Sequence, residues 1–102
     1  MKISEVDVQA VLSFLRLDEE DADTTTLSAA MGAAKSYISS YTGIPAVASE
    51  TTAETLDVYE DLTIAYLILI QDMYDNRAFS VDKANVNRTV ESILNMHERN
   101  LL

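Results

Sequence analysis

The chain contains no cysteine at all. Disulfides, thiolate metal sites and cysteine nucleophiles are excluded together, and a reducing compartment suits such a protein. One proline and two glycines are too few for a turn-rich β-sandwich and fit long helices instead. The single histidine, His97, has no partner for a zinc site of the HExxH kind. Cations are scarce too, seven Lys and Arg against seventeen Asp and Glu, for a formal charge of -10. Phosphate neutralisation needs clustered Lys and Arg, so the balance argues against tight nucleic-acid binding. An acidic surface keeps a protein soluble and repels DNA that passes near it. No apolar run approaches the ~20 residues of a membrane helix. The opening Met1-Lys-Ile-Ser-Glu-Val-Asp7 carries acids where a signal peptide needs a basic and then an apolar stretch. The expectation is one soluble intracellular domain over residues 1–102, because a chain of 102 residues has no room for a second core.

What the chain does have is hydrophobic content of 48%, ordinary for a globular protein, with its densest part at Ile64–Ile70. Around that run apolar residues recur at Val58, Leu62, Tyr66, Leu69 and Met73, which is helical spacing. A helix apolar on all sides has to be wrapped by other protein. The pattern predicts an all-α fold: about four helices around a central apolar helix at about residues 57–76, with flexible loops between them. Leu62, Ala65, Tyr66, Ile68, Leu69 and Met73 should form its core, with Leu12, Leu15, Leu27, Met31, Ile38 and Ile93 around them.

The satellites have their own signals. A first helix is expected after Ser4 as N-cap, carrying Val8, Val11, Leu12 and Leu15, and ending near Arg16 or Leu17. Asp18–Asp23 follows as a self-repelling acidic connection. A second helix, capped by Thr24, Thr25 or Thr26, buries Leu27, Met31, Ala34, Ile38 and Tyr41, and its small residues let another helix approach closely. Gly43 should end it as a left-handed cap, with Pro45 preventing resumption. Residues 44–55 read as a loop with a short extended piece at 46–48. The third helix should start between Glu54 and Glu60 and run to about Asn76. After a connection at 78–86, a fourth helix near Asn87 turns Val90, Ile93, Leu94 and His97 inward.

None of the polar clusters assembles chemistry. Read as a calcium loop from Asp18, the acidic run offers Ala22 at the fifth position, Asp23 at the turn and Ala29 where a bidentate Glu is needed. Ser80-Val-Asp-Lys83 matches SxxK without its companion motifs, and neither glycine lies in a phosphate-cradling loop. No nucleophile, base and oxyanion donor come together, so the chain reads as no enzyme, with no catalytic, cofactor or metal site. Five tyrosines carry most of the aromatic surface. Core packing accounts for most of them, while Tyr59 and Tyr74 are candidates for assembly contacts.

Three stretches in order carry a resemblance. Val11-Leu-Ser-Phe-Leu-Arg-Leu-Asp-Glu-Glu-Asp-Ala-Asp23 takes a helix into an acidic connection. Ala34-Lys-Ser-Tyr-Ile-Ser-Ser-Tyr-Thr-Gly43 ends a helix in AxxYIxxYTG. Asp61-Leu-Thr-Ile-Ala-Tyr-Leu-Ile-Leu-Ile-Gln-Asp-Met-Tyr-Asp-Asn-Arg77 is a long apolar helix closing in YxNR. Over residues 8–80 the series resembles the head–tail connector proteins, also called adaptors or head-completion proteins, of tailed double-stranded-DNA bacteriophages and prophages. Gln71-Asp-Met73 departs from relatives that often carry an aromatic or histidine there.

The resemblance implies a structural subunit that assembles with copies of itself as a ring beneath the portal. The ring sits between portal and stopper or tail, and DNA passes through it without being gripped. It also implies a place at the head–tail junction of the virion, after a period in the host cytoplasm, and a C-terminal segment that reaches the portal. On that footing the candidate interface residues are Tyr59, Tyr74, Arg77, Arg88, Arg99, Leu101 and Leu102. Residues 1–61 hold twelve acids and three bases, whereas residues 72–102 hold five acids and four bases, an asymmetry that suits unlike patches meeting in a ring. The rival readings are an acidic helical interaction module and a DNA-mimic antagonist, and the latter needs carboxylates spaced along one exposed face.

Overall fold

A computed structural model describes residues 2–18, 20, 22–45, 55–76 and 87–98. Four helices carry the fold: α1 (Val8–Leu15), α2 (Thr24–Thr42), α3 (Asp61–Asn76) and α4 (Arg88–His97). Two 3-10 turns, at Ile3–Glu5 and Leu56–Val58, precede α1 and α3, and there is no strand among the described residues. The architecture is all-α, as the periodicity predicts.

α3 lies at the centre, packed most extensively against α2 and then α4, with α1 and the first turn completing one side. Three contacts fix the directions. The Asp23 amide at the start of α2 donates to the Tyr74 hydroxyl near the end of α3, at 3.0 Å. His97 at the end of α4 meets Asp61 at the start of α3. The Tyr41 hydroxyl near the end of α2 donates to Asn95 near the end of α4. α3 therefore runs antiparallel to both neighbours. Leu62, Ala65, Tyr66, Leu69, Ile70 and Met73 on its inner side are all at most 3% exposed, against Val11, Leu27, Ala30, Ala34, Ile38, Val90 and Leu94, each fully buried. Ala30 and Ala34 are the small residues that bring a neighbour close. Met31, Leu15, Ile93 and Ile68, expected in the core, are only partly buried at its margin.

The C-terminal stop of α2 shows how its sequence works. Gly43 takes φ 77°, a left-handed conformation that favours glycine, and its amide closes on the Ser39 carbonyl. Thr42 is fully buried because its hydroxyl donates to the Ile38 carbonyl at 2.7 Å and accepts from the Ile44 amide at 3.2 Å. The Ser39 hydroxyl takes the Ile44 carbonyl at 2.8 Å, and Ile44 is then pinned in the core at 1% exposure. The buried Thr42 hydroxyl and the Ile44 amide and carbonyl thus all have partners, as burial requires.

Helix starts differ from expectation in three places. α1 begins after Asp7, not Ser4: the Asp7 carboxylate accepts from the Ala10 amide, whereas the Ser4 amide is taken by Asp57 at 2.9 Å. The extended Val6 between turn and helix lets both Ile3 and Val6 reach the core. α2 is capped by Asp23 instead of a threonine, its carboxylate accepting the Thr26 amide at 3.0 Å, where a charge also suits the positive end of the helix. α3 starts at Asp61, after a separate turn, rather than near residue 57. Leu56 and Leu62 would fall about 120° apart around a continuous helix, and the break lets both be buried, at 1% and 0% exposure.

The end of α1 also hides its mechanism: Arg16, not a glycine, adopts the left-handed cap at φ 58°, and the Leu17 amide returns to the Leu12 carbonyl at 2.9 Å. α4 begins at Arg88 behind an Asn87 cap, close to the expected residue. The extended piece expected at 46–48 and the connection at 78–86 lie outside the described residues.

Candidate interaction surfaces

The first surface is the corner where α4 ends on α3. His97 Nε2 lies 2.7 and 2.9 Å from the two carboxylate oxygens of Asp61. A carboxylate only accepts, so this nitrogen carries the proton and donates. Tyr59 covers the pair, its ring centroid 4.4 Å from that of His97 at 42°. His97 is a strut between two helices, as an inward-facing helix residue should be.

The second is the seam between α2 and α4. Tyr37 and Tyr41 stand one turn apart with ring centroids 5.9 Å from each other. With Ser40 and Glu98 they line an open cleft of about 320 Å³. Burial holds both phenols above their ordinary range, and neighbouring charge adds to it: Tyr41 and Glu91 act on Tyr37, Glu98 and Glu91 on Tyr41. The Tyr37 hydroxyl is buried without a hydrogen-bond partner among the described residues. A shallower cleft of about 260 Å³ runs over Gly32, Lys35, Ser36, Ser39 and Ser40 on the outer side of α2. Lys35 reaches from there over the edge of the core, its Nζ 5.7 Å from the Tyr66 ring centroid, within cation–π range.

The third is the outer side of α3. Ile64 is 54% exposed, and Leu67 and Ile68 beside it are half-buried. The helix is apolar all round in sequence, yet the described chain wraps only one side of it. That corrects the expectation of a fully enclosed helix. Among the described residues, α2, α4, α1 and the Ile3–Glu5 turn pack against α3 and leave Ile64 in solvent, with Leu67 and Ile68 at the margin. Val58 and Met96, at 57% and 69% exposure, are further apolar side chains in solvent.

The candidate interface residues do not gather into one patch. Tyr59 is half-buried at the α3–α4 corner. Tyr74 lies at the other end of α3 and is only 8% exposed, its ring in the core and its hydroxyl bonded to the start of α2. Its role is structural, and burial removes it as an assembly contact. Arg88 is exposed on the first turn of α4, where a cation gains nothing from the helix dipole. Arg77, Arg99, Leu101 and Leu102 lie outside the described residues. Ile64, Leu67 and Ile68 were absent from the expected set. The signal for them was the unbroken apolarity of 64–70, which exceeds what so few satellites can cover.

Electrostatically, several of the described carboxylates are employed in the fold. Asp7 and Asp23 cap helices, and Asp61 holds His97. Asp57 is held below the usual carboxylate range by the Ser4 side chain and then the Ser4 amide, with Lys2 and Lys35 assisting. Among the described residues no three His, Cys, Asp or Glu side chains are placed to hold a metal ion, and no helix is long and apolar enough to cross a membrane.

A small helical bundle with Ile64 in solvent and open clefts, and with no metal-binding cluster among the described residues, fits a protein built for assembly. Its class is that of a structural assembly module. The chain belongs to the phage gp6-like head-tail connector proteins, whose family model matches residues 5–99. No curated protein and no solved structure matches it. Membership makes it a bacteriophage structural protein of the head–tail connection, from a family that is structural and found in the virion, in contact with other phage head or tail proteins.

Proposed function

We propose that this chain is a ring-forming connector subunit, docked on the portal of the DNA-filled head and offering a platform to the stopper or tail. The observation that carries this reading is the family match across residues 5–99. Three features of the chain support it. The AxxYIxxYTG stretch has a structural use at each of its marked positions: Ala34 and Ile38 are buried in the core, Tyr41 reaches α4, Thr42 and Gly43 make the stop, and Tyr37 packs in the α2–α4 seam. The charge of -10 suits a wall that DNA slides past without being held. Tyr59 and Arg88 sit at opposite ends of the bundle, as the two unlike patches of a closed ring require. Arg77, Arg99, Leu101 and Leu102 belong to the same proposal as candidate interface residues.

The DNA-mimic alternative is disfavoured by geometry. Asp7, Asp23, Asp57 and Asp61 are bound to backbone or side-chain partners of this chain and do not form an exposed row.

The test is genetic and biochemical together. Heads assembled without this protein should fail to join tails and should lose DNA, and the purified chain should bind purified portal in gel filtration with light scattering. Heads that mature normally in its absence would refute the connector role.

A further inference from the structure

The cleft between α2 and α4 has the chemistry of a cation site. Tyr37 and Tyr41 line it with two tilted rings, centroids 5.9 Å apart, around an open volume of about 320 Å³. Glu98 lines it as well. After burial, and for Tyr37 after the neighbouring Tyr41, the charge of Glu91 raises both phenols, and Glu98 acts more strongly than Glu91 on Tyr41. Two carboxylates therefore put negative potential onto the rings. Neither has an ion-pair partner among the described residues. The Tyr41 hydroxyl is used by Asn95, but the buried Tyr37 hydroxyl has no described partner, a polar deficit that an N–H donor in the cleft would meet. Aromatic faces beside carboxylates suit arginine best, since a guanidinium stacks flat on a ring and keeps five N–H donors for oxygen acceptors. Among the described residues the recorded cation–π contact is elsewhere, Lys35 over Tyr66.

The chain itself offers a candidate for that cation. Copies with a formal charge of -10 repel one another, so a contact between copies is favoured where one of the few cations meets carboxylates. The described cations are Lys2, Arg16, Lys35 and Arg88. Lys2 and Lys35 act on Asp57 of their own chain. Arg88 is exposed, has no ion-pair partner among the described residues, and stands on the first turn of α4, where the helix dipole disfavours a cation. Its place costs the monomer something that no described contact returns. Arg88 also lies roughly 15 Å along α4 from Glu98, so one side chain does not bridge the two within a copy. The cleft belongs to the end of the bundle where α2 and α4 finish and Tyr59 covers His97, and Arg88 belongs to the other end. Each copy thus carries one cation and one receptor at different places, as a heterologous, ring-closing contact requires.

We infer that Arg88 of one copy enters the Tyr37–Tyr41 cleft of the next, its guanidinium against the rings and paired with Glu98. The inference rests on the ring-forming part of the connector reading and names the contact that would build the ring. The rings supply a desolvated face for the cation, and the carboxylates set which end of a neighbour is accepted.

The absence of cysteine makes the test free of background. Ser40 lines the cleft and Thr89 adjoins Arg88, and both are exposed. Full-length Ser40→Cys and Thr89→Cys chains are assembled together into particles and treated with a short flexible bismaleimide. The expected product is a crosslinked dimer joining position 40 of one copy to position 89 of another, far more abundant than dimers from particles made with either variant alone. Adding Arg88→Glu to both chains should lower its yield about tenfold, while the melting temperature holds or rises because an acid suits that end of α4. Arg88→Glu combined with Glu98→Arg should restore the yield. Arg16→Glu makes the same change in net charge and should leave it unchanged. Dimers equally abundant from one variant alone, no dimer in particles that contain the protein, a full yield with Arg88→Glu, no restoration by Glu98→Arg, or an equal loss with Arg16→Glu would each overturn the inference while leaving the connector role standing. Particles that lack the protein altogether would sink both together.

Discussion

The two sides of α3 are built from the same residue types and have opposite consequences. Leu62, Tyr66, Leu69 and Met73 face neighbours and are almost wholly buried, whereas Ile64, two residues from both Leu62 and Tyr66 in sequence but turned away from them, stands more than half in solvent. Hydrophobicity alone does not separate them; what separates them is whether α2, α4 and α1 reach that side. The inner side stabilises the monomer, and the outer side is left for whatever the monomer assembles with. A stability measurement and an assembly measurement should therefore respond to different residues of one helix.

The strongest test of this contrast is Leu69→Ala on the inner side. It leaves a cavity in a packed core and should cost about 2–5 kcal/mol, a large part of a small domain's stability, read as a fall in the chemical-denaturation midpoint. An unchanged midpoint would show that the inner side is not the core. Next comes alkali. Burial pushes the Tyr66 hydroxyl up from 10.0 to about 12. Because the folded value is the higher one, the associated stability is whole below pH 10.0 and is lost as pH rises through about 12. Thermal melts across that window should fall steeply, and Tyr66→Phe should flatten the fall.

Two glycines on α2 extend the comparison to a second helix. Gly43 lies in the left-handed stop, so Gly43→Ala should destabilise by about 1 kcal/mol. Gly32 sits on the exposed outer side, and a Cβ there meets nothing within 4 Å. Gly32→Ala should thus stabilise by roughly 0.5–1 kcal/mol through helix propensity, and differential scanning calorimetry would show the two substitutions moving Tm in opposite directions. The smallest effect belongs to the outer side of α3. Ile64→Ser should change unfolding free energy by no more than about 0.5 kcal/mol. A loss comparable to that of Leu69→Ala would erase the distinction between the two sides.

Legibility in the sequence followed how local each signal is. The α2 stop was readable because Gly43 and Pro45 act within one turn, and Asn87 marked α4 for the same reason. The starts of α1 and α3 were not, because they depend on burying Ile3 with Val6 and Leu56 with Leu62, pairs whose partners come from elsewhere in the fold. Arg16 in a left-handed cap gives no residue-type warning of its conformation. The same limit applies to the surfaces. Tyr59 and Tyr74 looked alike as amphipathic aromatics, and only tertiary packing sent one to a corner with His97 and the other into the core. Ile64 and Leu69 looked alike as aliphatics, and only the positions of three other helices made one a surface.

One backbone hydrogen bond carries a practical consequence. The Leu56 amide donates to the Pro45 carbonyl at 3.1 Å, so residues 45 and 56 are clasped together. With that clasp in place, the sequence between the two residues is the expected site for an insertion. Doubling the number of residues threaded there adds only about 0.6 kcal/mol of closure entropy, so a tag or a fluorescent reporter can be spliced in without asking the helices to re-register.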